Sequence, residues 1–178
     1  MPKKTVKVID KGFDDFVVSL EHFKRFTVAT GIFENAADQP KLSRVKGVDV
    51  VKDDAPPLAL VAAVLEFGSE DGKIPPRPAV RQALRKSRPE YIKRMRKLYV
   101  RSTKQRLQAA TIKKSLDSVG KLITKEIKKS ITNLQEPALS DSTLKARERN
   151  DAGDNPLVIT GQLRDAYTSK VIIKKKRD

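Results

Sequence analysis

The segment IKKSLDSVGKLITKEIKKSITNL, residues 112–134, carries the most regular pattern in this chain. Ile112, Leu116, Val119, Ile123, Ile127, Ile131 and Leu134 recur at steps of three and four. An α-helix turns once every 3.6 residues or so, and those steps put all seven on one face. The spacing predicts a long amphipathic helix with its apolar stripe turned to a core. Gly120 inside it costs about 1 kcal/mol relative to alanine, which the regular stripe absorbs. Pro137 stops it, because proline has no N–H and its ring crowds the preceding turn.

Working outward, two segments alternate instead. Phe26, Val28, Thr30 and Ile32 alternate with Thr27, Ala29, Gly31 and Phe33, and Val171 and Ile173 with Lys170, Ile172 and Lys174. Period two is the mark of a strand. Isolated strands are unstable, so the two segments are expected in one antiparallel sheet. A shorter β-prone run is Thr5 to Ile9. Phe13, Phe16, Val17, Leu20 and Phe23 have helical spacing, with Asp14 and Asp15 in the first turn, where acids suit the helix dipole. That helix and the one from Ile112 are expected on the apolar face of the sheet. The fold class is therefore α+β: a small antiparallel sheet packed against long amphipathic helices, in one domain over residues 1–178.

The middle of the chain is punctuated by proline and glycine. Pro57 opens a helix through Leu58, Val61, Ala62 and Leu65, and Gly68 ends it. Residues 69–78, SEDGKIPPRP, read as a proline-rich arm. Pro78 starts a further helix, which Pro89 is expected to kink or restart. Residues 35–55 show no sustained period and contain Pro40 and Gly47. They read as an extended loop or hairpin arm. Long irregular segments are uncommon unless functional, so a contact with a neighbouring subunit is expected there. Ser140 is placed to cap a short helix over Leu144 and Ala146. Thr160-Gly161 is placed to turn the backbone into a last helical turn.

Composition narrows the function classes. Charged residues make up 34% of the 178 and hydrophobic ones 38%, against about 25% charged in an ordinary domain. Much exposed surface follows, as in a thin ring subunit or a projecting helix. The chain has no cysteine, which excludes disulfides, thiolate catalysis and zinc–thiolate sites. No run approaches the roughly 18 apolar residues of a membrane span. The opening MPKKTVKVID lacks the apolar core of a secretory signal, so synthesis in a cytoplasm and no membrane partner are expected. His22 sits in the first amphipathic helix with no nucleophile partner, and glycines 12, 31, 47 and 68 are isolated rather than a phosphate loop. Asp14-Asp15 and Asp53-Asp54 point adjacent acids to different faces. No catalytic, cofactor or metal site is expected.

The net charge of +16 attracts polyanions. Its densest stretch runs from Arg77 to Arg106. Arg94, Lys97, Arg101 and Lys104 are the candidates there for a DNA or other polyanion contact. Aromatics are only 5% of the chain, too few for a groove that stacks single-stranded bases. A surface facing DNA backbone or an acidic partner, and a merely solvated helix face, both fit this run.

Three segments occur in a characteristic order: LEFGSEDGKIPPRPAVRQAL at 65–84, LSDSTLKAR at 139–147 and NPLVITGQLRDAYTSKV at 155–171. Together they resemble the tail-completion and neck proteins of long-tailed bacteriophages, over residues 58–171. Ala79 stands where that family usually has phenylalanine, and Val158-Ile159 where it often has isoleucine and aspartate. Ala166 and Tyr167 stand where a serine and an apolar residue are common. The resemblance implies a virion structural protein, not an enzyme, that acts at the head–tail junction after synthesis in the host cytoplasm. It implies a homo-oligomeric ring, expected to be hexameric, that completes the tail or joins it to the connector. The implied partners are further copies of the chain and connector, tail-terminator or tail-tube proteins, with non-specific contact to packaged DNA. Glu66, Phe67, Gly68, Ile74, Pro75, Arg77, Pro78, Leu157, Thr160, Gly161 and Leu163 are the implied interface residues. The prolines would hold the arm extended at little entropic cost, and Arg77 would offer a planar fork to a carboxylate on a facing subunit. Packing within the chain at element junctions is the competing account. A basic DNA-binding or DNA-packaging accessory protein is the alternative from another class.

Overall fold

The computed structural model describes residues 12–33, 41–52 and 56–174. The β-prone run at Thr5 and the basic tail beyond Lys174 lie outside the described residues. In chain order the elements are α1 (Phe13–Arg25), β1 (Phe26–Ile32), β2 (Lys41–Val45) and β3 (Val48–Lys52), then α2 (Leu58–Phe67), α3 (Ala79–Lys104) and α4 (Ala109–Asn133). Helices α5 (Asp141–Arg149) and α6 (Gln162–Ala166) follow, and strand β4 (Tyr167–Ile173) comes last.

Strands β1 and β4 form a two-stranded antiparallel sheet, with Phe26 opposite Ile173 and Ile32 opposite Tyr167. Helix α4 packs on both strands and on α3. The fold is α+β, a small antiparallel sheet against long helices, as the two alternating segments predict. Helix α1 differs from expectation. It packs mainly against α3 and α4, with Phe16 edge-on to Tyr99 of α3 at 5.8 Å between ring centroids.

The seven-residue stripe of α4 serves two apolar clusters. Ile112 and Leu116 join Leu98 and Leu107 at one end. Ile127, Ile131 and Leu134 join Ala79, Ala83, Leu157 and Tyr167 at the other. Between them, the sheet lies against the helix at Gly120. A Cβ there would stand 2.8 Å from the Ser169 Cβ and 3.1 Å from Val28 Cγ1. The glycine is required by that approach, and its helix-propensity cost is the smaller quantity beside an overpacked contact of about 1–3 kcal/mol.

Of the two outcomes expected at Pro89, a restart does not occur, because α3 is one helix from Ala79 to Lys104 with the proline inside it. The proline removes one backbone bond. Ala83 and Ser87 before it and Leu98 and Ser102 after it are buried along one side of the helix. That packing continues on both sides of the missing bond. In the arm at 35–55, residues 41–52 form a hairpin, β2 paired with β3. Its two-residue turn has Lys46 at φ 48° and Gly47 at φ 80°, the left-handed pair that matches strand twist. Residues 34–40 and 53–55 lie outside the described residues. The turn rests on this chain: Gly47 N–H donates to the Asn150 carbonyl at 3.0 Å.

Candidate functional site

Helix α2, LALVAAVLEF, has no charged side chain before Glu66 and is apolar all round. Such a helix is normally buried on every side. Here only Leu58 and Glu66 are buried, while Leu60 is 54% and Phe67 69% exposed. Opposite it runs the segment from Pro156 to Leu163. Between the two lies a groove of about 420 Å³, walled by Leu60, Val61, Val64, Ile74, Leu157 and Ile159 among others.

Sequence-predicted residues divide here into those that line the groove and those that build it. Ile74, Leu157, Thr160, Gly161 and Leu163 line it. Phe67 stands just outside, with the Arg81 guanidinium 5.2 Å from its ring centroid. Glu66, Gly68, Pro75, Arg77 and Pro78 belong to the framework instead, and two of these overturn the expected roles.

Glu66 is 8% exposed. Its carboxylate accepts from the N–H groups of Val80 at 2.9 Å and Arg81 at 3.1 Å. Those are orphan donors at the N-terminus of α3, whose own cap residue, Pro78, supplies no side-chain bond. A carboxylate there also meets the positive end of the helix dipole. The Arg81 side chain binds Glu66 twice more, through Nε to Oε1 and through a terminal nitrogen to the Glu66 carbonyl. Glu66 is thus a cap reaching from one helix to the next.

Arg77 is 5% exposed. Its fork is already occupied inside the chain. Nε donates to the Pro137 carbonyl at 3.0 Å and a terminal nitrogen to the Ala138 carbonyl at 3.1 Å. Two of its three nitrogens are thus committed to this chain's own backbone. The arm at 69–78 is not a free extended strand either. The Ile74 N–H donates to Ser69 Oγ, the Ser69 N–H donates to the Ile74 carbonyl, and the Arg77 N–H donates to the Leu65 carbonyl. Gly68 closes this loop at φ 87°, where a Cβ would lie 3.1 Å from the Ile74 oxygen. Backbone donors left over by the prolines are few, so the loop satisfies itself.

A second arginine, half-buried and missed in the sequence, shapes the groove wall. Arg147 of α5 donates to the carbonyls of Gly153, Asn155 and Pro156. It fixes the irregular stretch that leads into the groove. Burial lowers the pKa of both arginines, and the charge of Arg77 lowers that of Arg147 further. Gly161 at φ 81° starts α6, and Thr160 Oγ1 accepts from the Gln162 N–H. The Thr160-Gly161 turn is a local cap, as its residue types predict. His22 proves structural as well: its Nδ1–H donates to the Leu107 carbonyl, while the Leu107 N–H donates to buried Ser19.

Tyr167 gives this region a measurable pH dependence. Burial, and then the nearby Glu66 charge, push its phenol up to about 12. The ordinary value is 10.0, and a raised folded value means that the folded state favours the neutral phenol. The resulting stability is intact below pH 10 and is lost as pH rises toward 12. Two units correspond to about 2.7 kcal/mol. Between those pH values Tyr167→Phe should lose less stability than the parent chain, by that margin. Parallel alkaline denaturation curves would refute the assignment.

On the basic face the structure separates the four candidates. Arg94 is turned to α4, bound by Glu90 and the Ser118 hydroxyl, each at 3.1 Å. Lys97, Arg101 and Lys104 share one concavity with Lys93 and Arg96. Among the described residues, no three histidine, aspartate or glutamate side chains come together as metal ligands, and no helix is long and apolar enough to cross a membrane. No family model, curated protein or solved structure matches the chain.

Proposed function

We propose that this chain is a structural assembly subunit that docks against copies of itself through the α2 groove. The single observation that carries the reading is the uncharged, exposed face of α2. A chain of net charge +16 repels its own copies wherever basic surfaces meet. Leu60, Val61 and Val64 with Ile159 across the groove offer a patch where two copies meet without that repulsion. Burying a leucine-sized side chain contributes about 1.5–3 kcal/mol, so a few such contacts on each side are enough to hold an oligomer.

The ordered motifs at 65–84, 139–147 and 155–171 support a finer reading. A ring subunit of the head–tail junction of a long-tailed phage particle fits the resemblance that they carry. The revised roles of Glu66 and Arg77 leave that reading in place but shift its interface. The docking groups become Leu60, Phe67, Ile74 and Ile159, with the arm as their support. No chemical step belongs to this function.

The test is sedimentation of the parent chain and of Leu60→Lys/Ile159→Lys across a concentration series. Both positions are exposed, 54% and 43%, and lysine is a good helix former at Leu60 in α2, so the fold is expected to hold by circular dichroism. The parent should self-associate. The variant should need at least ~100-fold more protein to do so, the equivalent of about 2.8 kcal/mol. A parent that stays monomeric, or a variant that associates normally, would remove the proposal.

A further inference from the structure

We infer that the outer face of α3 is a nucleic-acid backbone site, carried by Lys93, Arg96, Lys97, Arg101 and Lys104. The inference is independent of the α2 groove, which uses other residues.

These five cations line one shallow concavity of about 670 Å³ together with Pro89, Ile92 and Val100. Helix neighbours three and four apart stand about 5–6 Å from one another. From Lys93 to Lys104 the row covers about 17 Å of helix axis. A second concavity of about 710 Å³ adjoins it between α3 and α4, and Arg94 and Lys114 belong to its lining. Lys97 and Arg101 line both, so they stand on the ridge between the two. Neither lining contains a carboxylate. Among the described residues the ion pairs of α3 are Arg81 with Glu66 and Arg94 with Glu90. Among the described residues, no carboxylate forms an ion pair with the five cations of the outer face.

This pattern selects for a partner with repeated negative charge. A duplex carries one phosphate per about 1.7 Å of its axis, and so offers several to a 17 Å row. The surface is two helices wide, about 8–10 Å between axes, which suits a duplex better than a single acidic peptide lying along one helix. The surface has no aromatic side chain to stack unpaired bases in either lining. It carries no carboxylate to accept from a cytosine amino group. The contact proposed is with phosphates, which carry no sequence information.

The probe is a fluorescein-labelled DNA duplex of mixed sequence, about two helical turns long, titrated with the full chain by anisotropy. Each phosphate contact contributes about −0.9 to the slope of log K against log salt. Five contacts predict a slope near −4.5, a loss of affinity of about 500-fold between roughly 50 and 200 mM salt. Lys93→Gln/Lys97→Gln/Arg101→Gln/Lys104→Gln should leave a slope near −0.9 and a loss of only about 3–4-fold. A control, Lys24→Gln/Lys73→Gln/Lys121→Gln/Lys145→Gln, removes the same charge from four other places and should keep the parent slope. Thermal melts check that both variants fold. Equal slopes in the two variants would mean diffuse charge rather than a site. Polyglutamate displacing the duplex as well as unlabelled DNA does would assign the face to an acidic protein. Either result, or no binding at low salt, overturns the inference.

Discussion

Glu66→Ala should lower the unfolding free energy by about 3 kcal/mol, the largest loss expected from any single polar group here. The carboxylate takes two backbone N–H groups at the start of α3 and the Arg81 Nε. Hydrogen bonds to a charged partner contribute about 1.5–3 kcal/mol each. Alanine leaves the Val80 and Arg81 amides without an acceptor at a helix end that has no other side-chain cap. Against a total stability of about 5–15 kcal/mol for a domain, that loss is severe. Glu66→Gln keeps the shape but turns an amide NH₂ toward donors, so about half the effect should remain. Arg81→Ala should cost under about 1 kcal/mol, because that side chain is 53% exposed and its ion pair is screened by water. Chemical denaturation of the three variants checks the order. If Arg81→Ala proves the most damaging, the capping account fails.

Arg77→Ala comes second, at about 2–3 kcal/mol. Its two bonds hold the carbonyls of Pro137 and Ala138, which lie beyond the end of α4. Truncation strands both acceptors beside a void, although it also relieves the desolvation of a buried charge. Arg77→Lys keeps the charge but not the fork, so it should recover one bond of the two. The sequence reading has Arg77 crossing to another subunit, in which case its loss would stop assembly and spare the monomer. The geometry reverses that order: the monomer is weakened first, and any assembly defect follows from it. A melt of the isolated chain distinguishes the two. An unchanged melt with failed assembly would restore the intersubunit role.

What the sequence makes legible here is whatever repeats locally. The stripe from Ile112 to Leu134 and the alternation at Val28 and Val171 each state their own periodicity, and the sheet pairing follows from having two strands to match. Ser140 and Thr160 cap in place because a cap is decided within three residues. Glu66 and Arg77 are picked out by sequence as members of an ordered motif, but their roles are not. Their partners, Val80 and Pro137, sit on other elements, and a buried arginine leaves the same letter as an exposed one. The close approach at Gly120 is hidden for the same reason, since the clashing atoms belong to Ser169 and Val28. Pro89 does not divide its helix, because its cost is local while the packing on either side of it comes from a neighbouring helix. The exposed side of α2 is the reverse case. Its composition reads as core, and only coordinates show that half of it faces outward.

The pairing of Phe26 with Ile173 sets the order in which a growing chain acquires its structure. On a ribosome, residues emerge at about 5–20 per second. The α3–α4 hairpin has local contacts and is free to form as soon as its two arms are out. Strand β1 emerges long before them, while β4, its mate among the described residues, is the last of the described elements. Tyr167 and Leu157, both buried in the cluster at the C-terminal end of α4, also arrive late. For most of translation, then, the nascent chain presents a strand without its β4 partner and one half-filled apolar cluster to its surroundings. Closure of the sheet is a late, long-range step, the kind that slows folding and lengthens exposure to aggregation.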